Sequence, residues 1–213
     1  LDPDAPVFDV HDADCAMFYS ITNCQEGLRG VSFGNLLIKQ VAEDLGREFP
    51  RLKTFATLSP IPGFRAWLSA EADRKDGHSD RDPHRDQLVN LLAMLDLPDW
   101  TTDKGISAGL QRELSRLCAH YLLHAKSRDQ PLDPVARFHL GNGARLERLN
   151  WLGDTSLSGL RRSAGMMVNY VYDLSDLERN HEAYARDNRI IASRRLELLA
   201  RESLLQRPPE KTA

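Results

Sequence analysis

The chain has 213 residues, a net charge of −3 and a pI of about 6.2. Hydrophobic residues make up 41% and charged residues 28%, the balance of a globular chain long enough for one large domain or a domain with an insertion. Such a charge gives no electrostatic case for nucleic acid or an anionic membrane as partner, and no apolar run approaches the ~20 residues a membrane helix needs. Cys15, Cys24 and Cys118 are an odd number without metal-type spacing, and read as reduced thiols. With no signal peptide at Leu1 and no S-K-L at the C-terminus, the expected location is cytoplasmic.

Ala16 to Ile21 is apolar and β-prone and predicts a strand. Residues 22–33 form a loop, and Gly34 opens a helix to about Glu48, with Leu37, Val41 and Leu45 as its apolar stripe and Ile38 and Ala42 widening it. Leu52 to Leu58 predicts a second strand, ended by Ser59-Pro60-Ile61-Pro62-Gly63-Phe64, with a short helix through Trp67. Residues 71–86 are charged and nearly free of large apolar side chains, and predict an exposed loop. Helices are expected at roughly 86–96 and 106–126, the second with Leu110, Leu114, Leu117 and Tyr121 on one side. Pro131 and Pro134 punctuate the chain before His139. Residues 144–152 suit either a strand or a short helix, 166–174 predict a strand, and 190–205 an amphipathic helix with Ile191, Leu198 and Leu199 toward the core. Strand, loop, helix and strand in that order indicate an α/β domain.

Three segments carry chemistry. In the first, a glycine-containing loop runs from strand to helix through Arg29, Gly30, Val31, Ser32, Phe33, Gly34 and Asn35. Unpaired amides at a helix start form an anion site, glycine lets a phosphate approach, and Arg29 can add a charge-assisted contact. The loop lacks the Gly-Lys-Ser/Thr of a nucleotide-triphosphate loop and the G-x-G-x-x-G of a dinucleotide fold. It resembles the pyrophosphate loop of the GNAT acyl-CoA-binding fold, with Ser32 where the first glycine stands; read alone, it equally suits a turn that binds nothing. In the second segment Ser59 ends a strand before two prolines, at the sheet edge where α/β proteins place ligands, or else caps the following turn. In the third, His139 precedes Gly141-Asn142-Gly143 at the mouth of a loop, where substrate can reach a group that titrates near neutral pH. His120 and His124 share zinc-like i, i+4 spacing without a third ligand, so no metal site is expected.

Together, FYSI, CQEGLRGVSFGNLLIKQV, LKTFATLSPIPGF, DPVARFHLGNGARLERLNWLGD and SAGMMVNYVYDL resemble malonyl-CoA decarboxylase, in that family's order and from about residue 14 to 185. The resemblance implies a GNAT-like acyl-CoA-binding fold with a mixed β-sheet flanked by helices. It implies a helical insertion at about 70–130, and a preceding helical domain and first strands that do not fall within this sequence. It implies Ser59 and His139 as active-site residues, Arg29 to Asn35 as the malonyl-CoA loop, and Tyr172 near the active centre, where a plain core tyrosine is the alternative. Malonyl-CoA and acetyl-CoA would be substrate and product in fatty acid metabolism, with a homo-oligomer organised by the helical domain. The thioester is itself the electron sink, so no organic cofactor or metal is expected. The competing reading is a GNAT-type acyl-CoA-dependent acyltransferase. The sequence reading places Ser59 and His139 facing each other across the thioester end of the substrate.

Overall fold

The computed structural model describes residues 4, 6–7, 9–19, 34–74 and 83–205, with side chains from 38 onward in the first helix. The loop residues Arg29 to Phe33 and the side chain of Asn35 lie outside the described residues, as do Cys24 and Ile21.

Strand β1 (Cys15–Tyr19) starts one residue before the apolar run that predicts it, and the last two residues of that run lie outside the described residues. Helix α1 (Gly34–Glu48) follows where expected. Its buried stripe differs, however. Ile38 and Ala42 are buried and Leu45 packs against the core, whereas Val41 is exposed. The expected stripe thus holds at Ile38, Ala42 and Leu45 and fails at Val41, and the side chain of Leu37 lies outside the described residues. Strand β2 (Thr54–Pro60) lies parallel to β1, with Cys15 opposite Thr54 and Tyr19 opposite Leu58, so α1 serves as the crossover that a parallel pair requires.

Helix α2 (Phe64–Asp73) runs past Trp67 and buries Phe64, Trp67, Leu68 and Ala72. Helix α3 (Pro83–Leu95) and helix α4 (Lys104–His124) follow. The expected exposed loop at 71–86 is therefore too wide: Glu71 to Asp73 continue α2, where Ala72 is buried, and Pro83 begins α3 as a first-turn proline. On α4, Leu110, Leu114, Leu117 and Tyr121 are all buried, as the sequence predicts, and Asp103 caps its start by accepting from the amides of Gly105 and Ile106. The two-residue strands β3 (Lys126–Ser127) and β4 (Gln130–Pro131) form a small hairpin.

Helix α5 (Pro134–Gly141) is a correction to the sequence reading, which placed His139 in a loop. Asp133 caps the helix by accepting from the Ala136 amide at 2.8 Å, and Pro134 needs no amide partner at the first helical position. Strand β5 (Arg145–Asn150) resolves the ambiguous segment, and helix α6 (Leu157–Ser163), strand β6 (Met167–Val171), helix α7 (Leu177–Asp187) and helix α8 (Arg194–Arg201) complete the order. On α8 the buried residues are Leu196 and Ala200, and Leu199 packs beside them; Leu198 is exposed, contrary to the expectation.

The main sheet has the order β1-β2-β6-β5, parallel between β1 and β2 and antiparallel elsewhere. It is a mixed sheet flanked by helices. Its register sorts side chains by face. Phe55, Thr57 and Ser59 of β2 share one face with Val168, Tyr170 and Tyr172, and all six are buried. The alternate residues face the other side, where Met17 and Tyr19 are exposed. The first face carries the chemistry.

Candidate active site

Between Ala56↔Val171 and Ser59↔Val168 the link from β2 to β6 is made by side chains. The Tyr170 amide donates to Thr57 Oγ1 at 3.2 Å, and Asn169 Nδ2 donates to the Thr57 carbonyl at 2.6 Å. These bonds hold the end of β2 against β6. Ser59 Oγ lies 3.1 Å from His139 Nε2 and 2.9 Å from Thr57 Oγ1. On its other side, His139 Nδ1 lies 2.7 Å from Tyr172 Oη. Tyr172, His139, Ser59 and Thr57 thus form one buried hydrogen-bonded run across two strands and a helix.

The three expected residues come together, but not quite as the sequence reading has them. Ser59 and His139 are in direct hydrogen-bond contact. His139, however, is not at a loop mouth, since it occupies the last turn of α5 and is only 3% exposed. Sequence reasoning passed over Thr57 and Tyr170. Tyr170 stacks on His139 with ring centroids 4.4 Å apart and planes at 22°, and its own hydroxyl is buried without a partner among the described residues. The signal available was alternation: Phe55, Thr57 and Ser59 fall on one face of a strand, as do Val168, Tyr170 and Tyr172.

Burial governs the electrostatics. It pulls the His139 imidazole down to about 4, so the ring is neutral at pH 7. It pushes the phenols of Tyr172 and Tyr170 and the thiol of Cys118 up, which keeps them protonated. Cys118 and Cys15 are free thiols. His120 is also drawn down to about 4, by burial and then by His124, whose ring lies 5.0 Å away. Among the described residues no three His, Cys, Asp or Glu side chains gather into a metal-binding group.

A pH dependence of stability follows. The unfolded chain takes a proton on His139 near pH 6.5, while the folded chain resists until about 4. Stability is therefore full above pH 6.5 and falls as the pH drops from 6.5 toward 4. At about 1.4 kcal/mol per pH unit, His139 alone costs about 2 kcal/mol between pH 6.5 and 5. Urea unfolding at pH 7 and pH 5 should show this loss, and His139→Asn should shrink it. An equal pH response in the two proteins would mean that the imidazole is not buried and neutral.

The comparisons with known proteins fit this geometry. Residues 1–210 match the family model described as the malonyl-CoA decarboxylase C-terminal domain. The chain belongs to the malonyl-CoA decarboxylase family. Among curated relatives, the mitochondrial malonyl-CoA decarboxylase of Rattus norvegicus is 41% identical over 198 residues, which is 85% of this chain and 40% of that protein. That of Anser anser anser is 40% identical over 199 residues, 87% of this chain and 40% of the relative. Solved malonyl-CoA decarboxylases share the fold. The one from Agrobacterium vitis superposes with a TM-score of 0.85 at 50% identity, covering 93% of this chain and 48% of that one. The one from Rhodopseudomonas palustris gives 0.84 at 48% identity, covering 93% and 45%. The chain thus spans about two fifths of the length of the curated relatives it matches. No helix among the described residues is long and apolar enough to cross a membrane.

Proposed function

We propose that this chain carries the reaction centre of a malonyl-CoA decarboxylase, converting malonyl-CoA to acetyl-CoA and carbon dioxide and so setting the malonyl-CoA level in fatty acid metabolism. One observation supports this above the others: in a member of this family, Ser59, His139 and Tyr172 join into a single hydrogen-bonded run at the carboxyl end of β2. In this reading the sheet is GNAT-like, and the loop Arg29 to Asn35, which follows β1 and opens α1, holds the pyrophosphate of coenzyme A.

The reaction needs the carboxylate out of the thioester plane, donors for the enolate oxygen, and a proton at C2. The bond to the carboxylate breaks, its electron pair enters the thioester π system, and carbon dioxide leaves. The incoming carboxylate supplies a negative charge that raises the pKa of His139 and draws a proton onto it. The face of the Tyr170 ring and the carboxyl end of α5 both favour the resulting imidazolium. As C2 takes the Ser59 hydroxyl proton, Ser59 takes the Nε2 proton, and both groups end neutral. Nothing in this sequence requires Ser59 to form an acyl-enzyme, since the bond that breaks is carbon–carbon. Tyr172 holds the ring in place through Nδ1, donating to it while the ring is neutral and accepting from Nδ1–H in the imidazolium.

The thioester is a sufficient electron sink, so activity should survive exhaustive chelation and need no organic cofactor. The deciding experiment incubates the purified chain with malonyl-CoA and follows carbon dioxide release together with acetyl-CoA. Release in equal amounts, without an acceptor amine and after chelation, is the expected result. Acetyl transfer only when an amine is added would favour an acyltransferase, and activity restored only by a metal would overturn the mechanism. We also propose a homo-oligomer and a cytoplasmic location; the free thiols of Cys15 and Cys118 support a reducing compartment.

A further inference from the structure

Four groups form the run Tyr172–His139–Ser59–Thr57, and they share three contacts, of 2.7, 3.1 and 2.9 Å. A neutral imidazole carries one N–H, and each hydroxyl carries one hydrogen. Four hydrogens therefore meet three contacts, and one hydrogen is left over. Hydroxyl hydrogens rotate freely, so the distances alone do not say which.

Three arrangements fill all three contacts. If every bond runs toward Thr57, the Thr57 hydrogen is left over. Thr57 is 0% exposed, its oxygen already receives the Tyr170 amide, and no other acceptor reaches it among the described residues. If every bond runs toward Tyr172, the phenol hydrogen is left over on a residue 2% exposed, where the neighbouring Asn142 amide approaches the phenol oxygen as a donor and not as an acceptor. In the third arrangement Tyr172 donates to Nδ1, Nε2–H donates to Ser59, and Thr57 also donates to Ser59. The spare hydrogen then sits on Ser59, the least buried of the four at 5%. A buried hydroxyl without an acceptor carries its full desolvation cost, so the third arrangement is favoured.

We propose that Thr57 is a positioning residue: its hydroxyl donates to Ser59 Oγ and, with His139 Nε2–H, occupies both lone pairs of Ser59, which leaves the Ser59 hydrogen directed at the bound substrate. The residue suits this task because its backbone and its Oγ1 are held by Asn169 and by the Tyr170 amide where the β2–β6 link passes to side chains. Ser59 is thereby fixed as a donor, able to bond the enolate oxygen or hand its proton to C2, and is unsuited to act as a nucleophile. This assignment deepens the proposed decarboxylation and rests on it for its kinetic consequence, but the hydrogen count needs only the contact geometry and a buried, neutral His139 ring.

Two measurements test it. Nitrogen NMR of the ring of His139 in the unliganded chain above pH 6.5 should show Nε2 protonated and Nδ1 bare; the opposite tautomer overturns the proposal, whatever the enzyme does. In kinetics, Thr57→Val keeps the shape and removes the hydroxyl. Turnover should fall about tenfold, as for one lost hydrogen bond, with KM within about twofold, and Thr57→Ser should restore it to within about threefold. Wild-type turnover in Thr57→Val, or a Thr57→Ser protein as slow as the valine variant, overturns the proposal. Should the valine variant not fold because the Tyr170 amide has lost its acceptor, Thr57→Ser and the tautomer still decide: a serine variant slowed more than threefold counts against it. Absence of decarboxylation in the wild-type chain would instead count against the proposed function and leave the tautomer as the test of the hydrogen count.

Discussion

His139→Asn is expected to lower the turnover number about 100-fold or more, with little change in KM. A lost general acid typically costs ~10²–10⁴-fold, and in the proposed reaction the imidazole acts through Ser59, which it touches. Ser59→Ala should behave similarly, because its hydroxyl is the group through which the imidazole acts. The informative protein is the double variant. Groups that work as one unit are not additive, so removing both should be little worse than removing either. Losses that multiply would show that Ser59 and His139 act independently and would dissolve the run as a functional unit. Urea unfolding of each variant at pH 7 separates a kinetic loss from a folding defect.

The largest expected effect on stability is at Gly143. Its φ is +79°, and a Cβ there would stand 2.3 Å from the carbonyl oxygen of Leu177, which is backbone and cannot move aside. Strain of about 1–3 kcal/mol for a side chain in this conformation and about 1–3 kcal/mol for overpacking together predict a loss of about 3 kcal/mol or more for Gly143→Ala. The turn also sets the site: the Ala144 amide donates to the His139 carbonyl, and Asn180 of α7 donates to the Gly143 carbonyl at 3.2 Å. Gly141, two residues earlier, is the control. It is helical, and its nearest neighbour would be a Tyr184 ring carbon at 3.8 Å, an ordinary contact. Gly141→Ala should be neutral or slightly stabilising, since alanine favours a helix by about 1 kcal/mol over glycine. Equal denaturation midpoints for the two variants would contradict the geometry at Gly143.

What the sequence made legible was mostly local. The apolar runs of β2 and β6 and the four-residue period of α1 fall within about three residues of the observed elements, because burial on one face leaves a period in the chain. The two prolines before His139 misled for an identifiable reason: proline breaks a helix interior but suits its first turn, and the cue was Asp133 directly before Pro134. Helix α7 escaped notice because its apolar side is only Leu177 and Tyr184 set in a charged surround. Ser59, His139 and Tyr172 were reached through family resemblance; the distances among them are tertiary, and no spacing in the chain encodes them. Thr57 and Tyr170 show the limit most clearly. Each has an unremarkable strand-former's identity, and each matters for what the fold brings next to it: the Tyr170 amide reaches Thr57 across 113 residues, and the Tyr170 ring stacks on His139 from another element. The part of the resemblance that falls on Arg29 to Phe33 lies outside the described residues.

Strand β6 has one further consequence, for how this chain can change length. It supplies Tyr170 and Tyr172 to one face and Asn169 and Val171 to the other. One residue inserted or deleted within its five would exchange the two sets, replacing the aromatic partners of His139 with an amide and a valine while leaving composition almost untouched. Neighbouring β5 already accommodates an extra residue, Glu147, in the irregularity between Leu146 and Arg148, and keeps its faces in order on either side. Across this sheet, tolerance to insertion and tolerance to substitution are therefore separate properties. Strand β6 can accept altered side chains at Met167 or Val171 more readily than any change in its residue count.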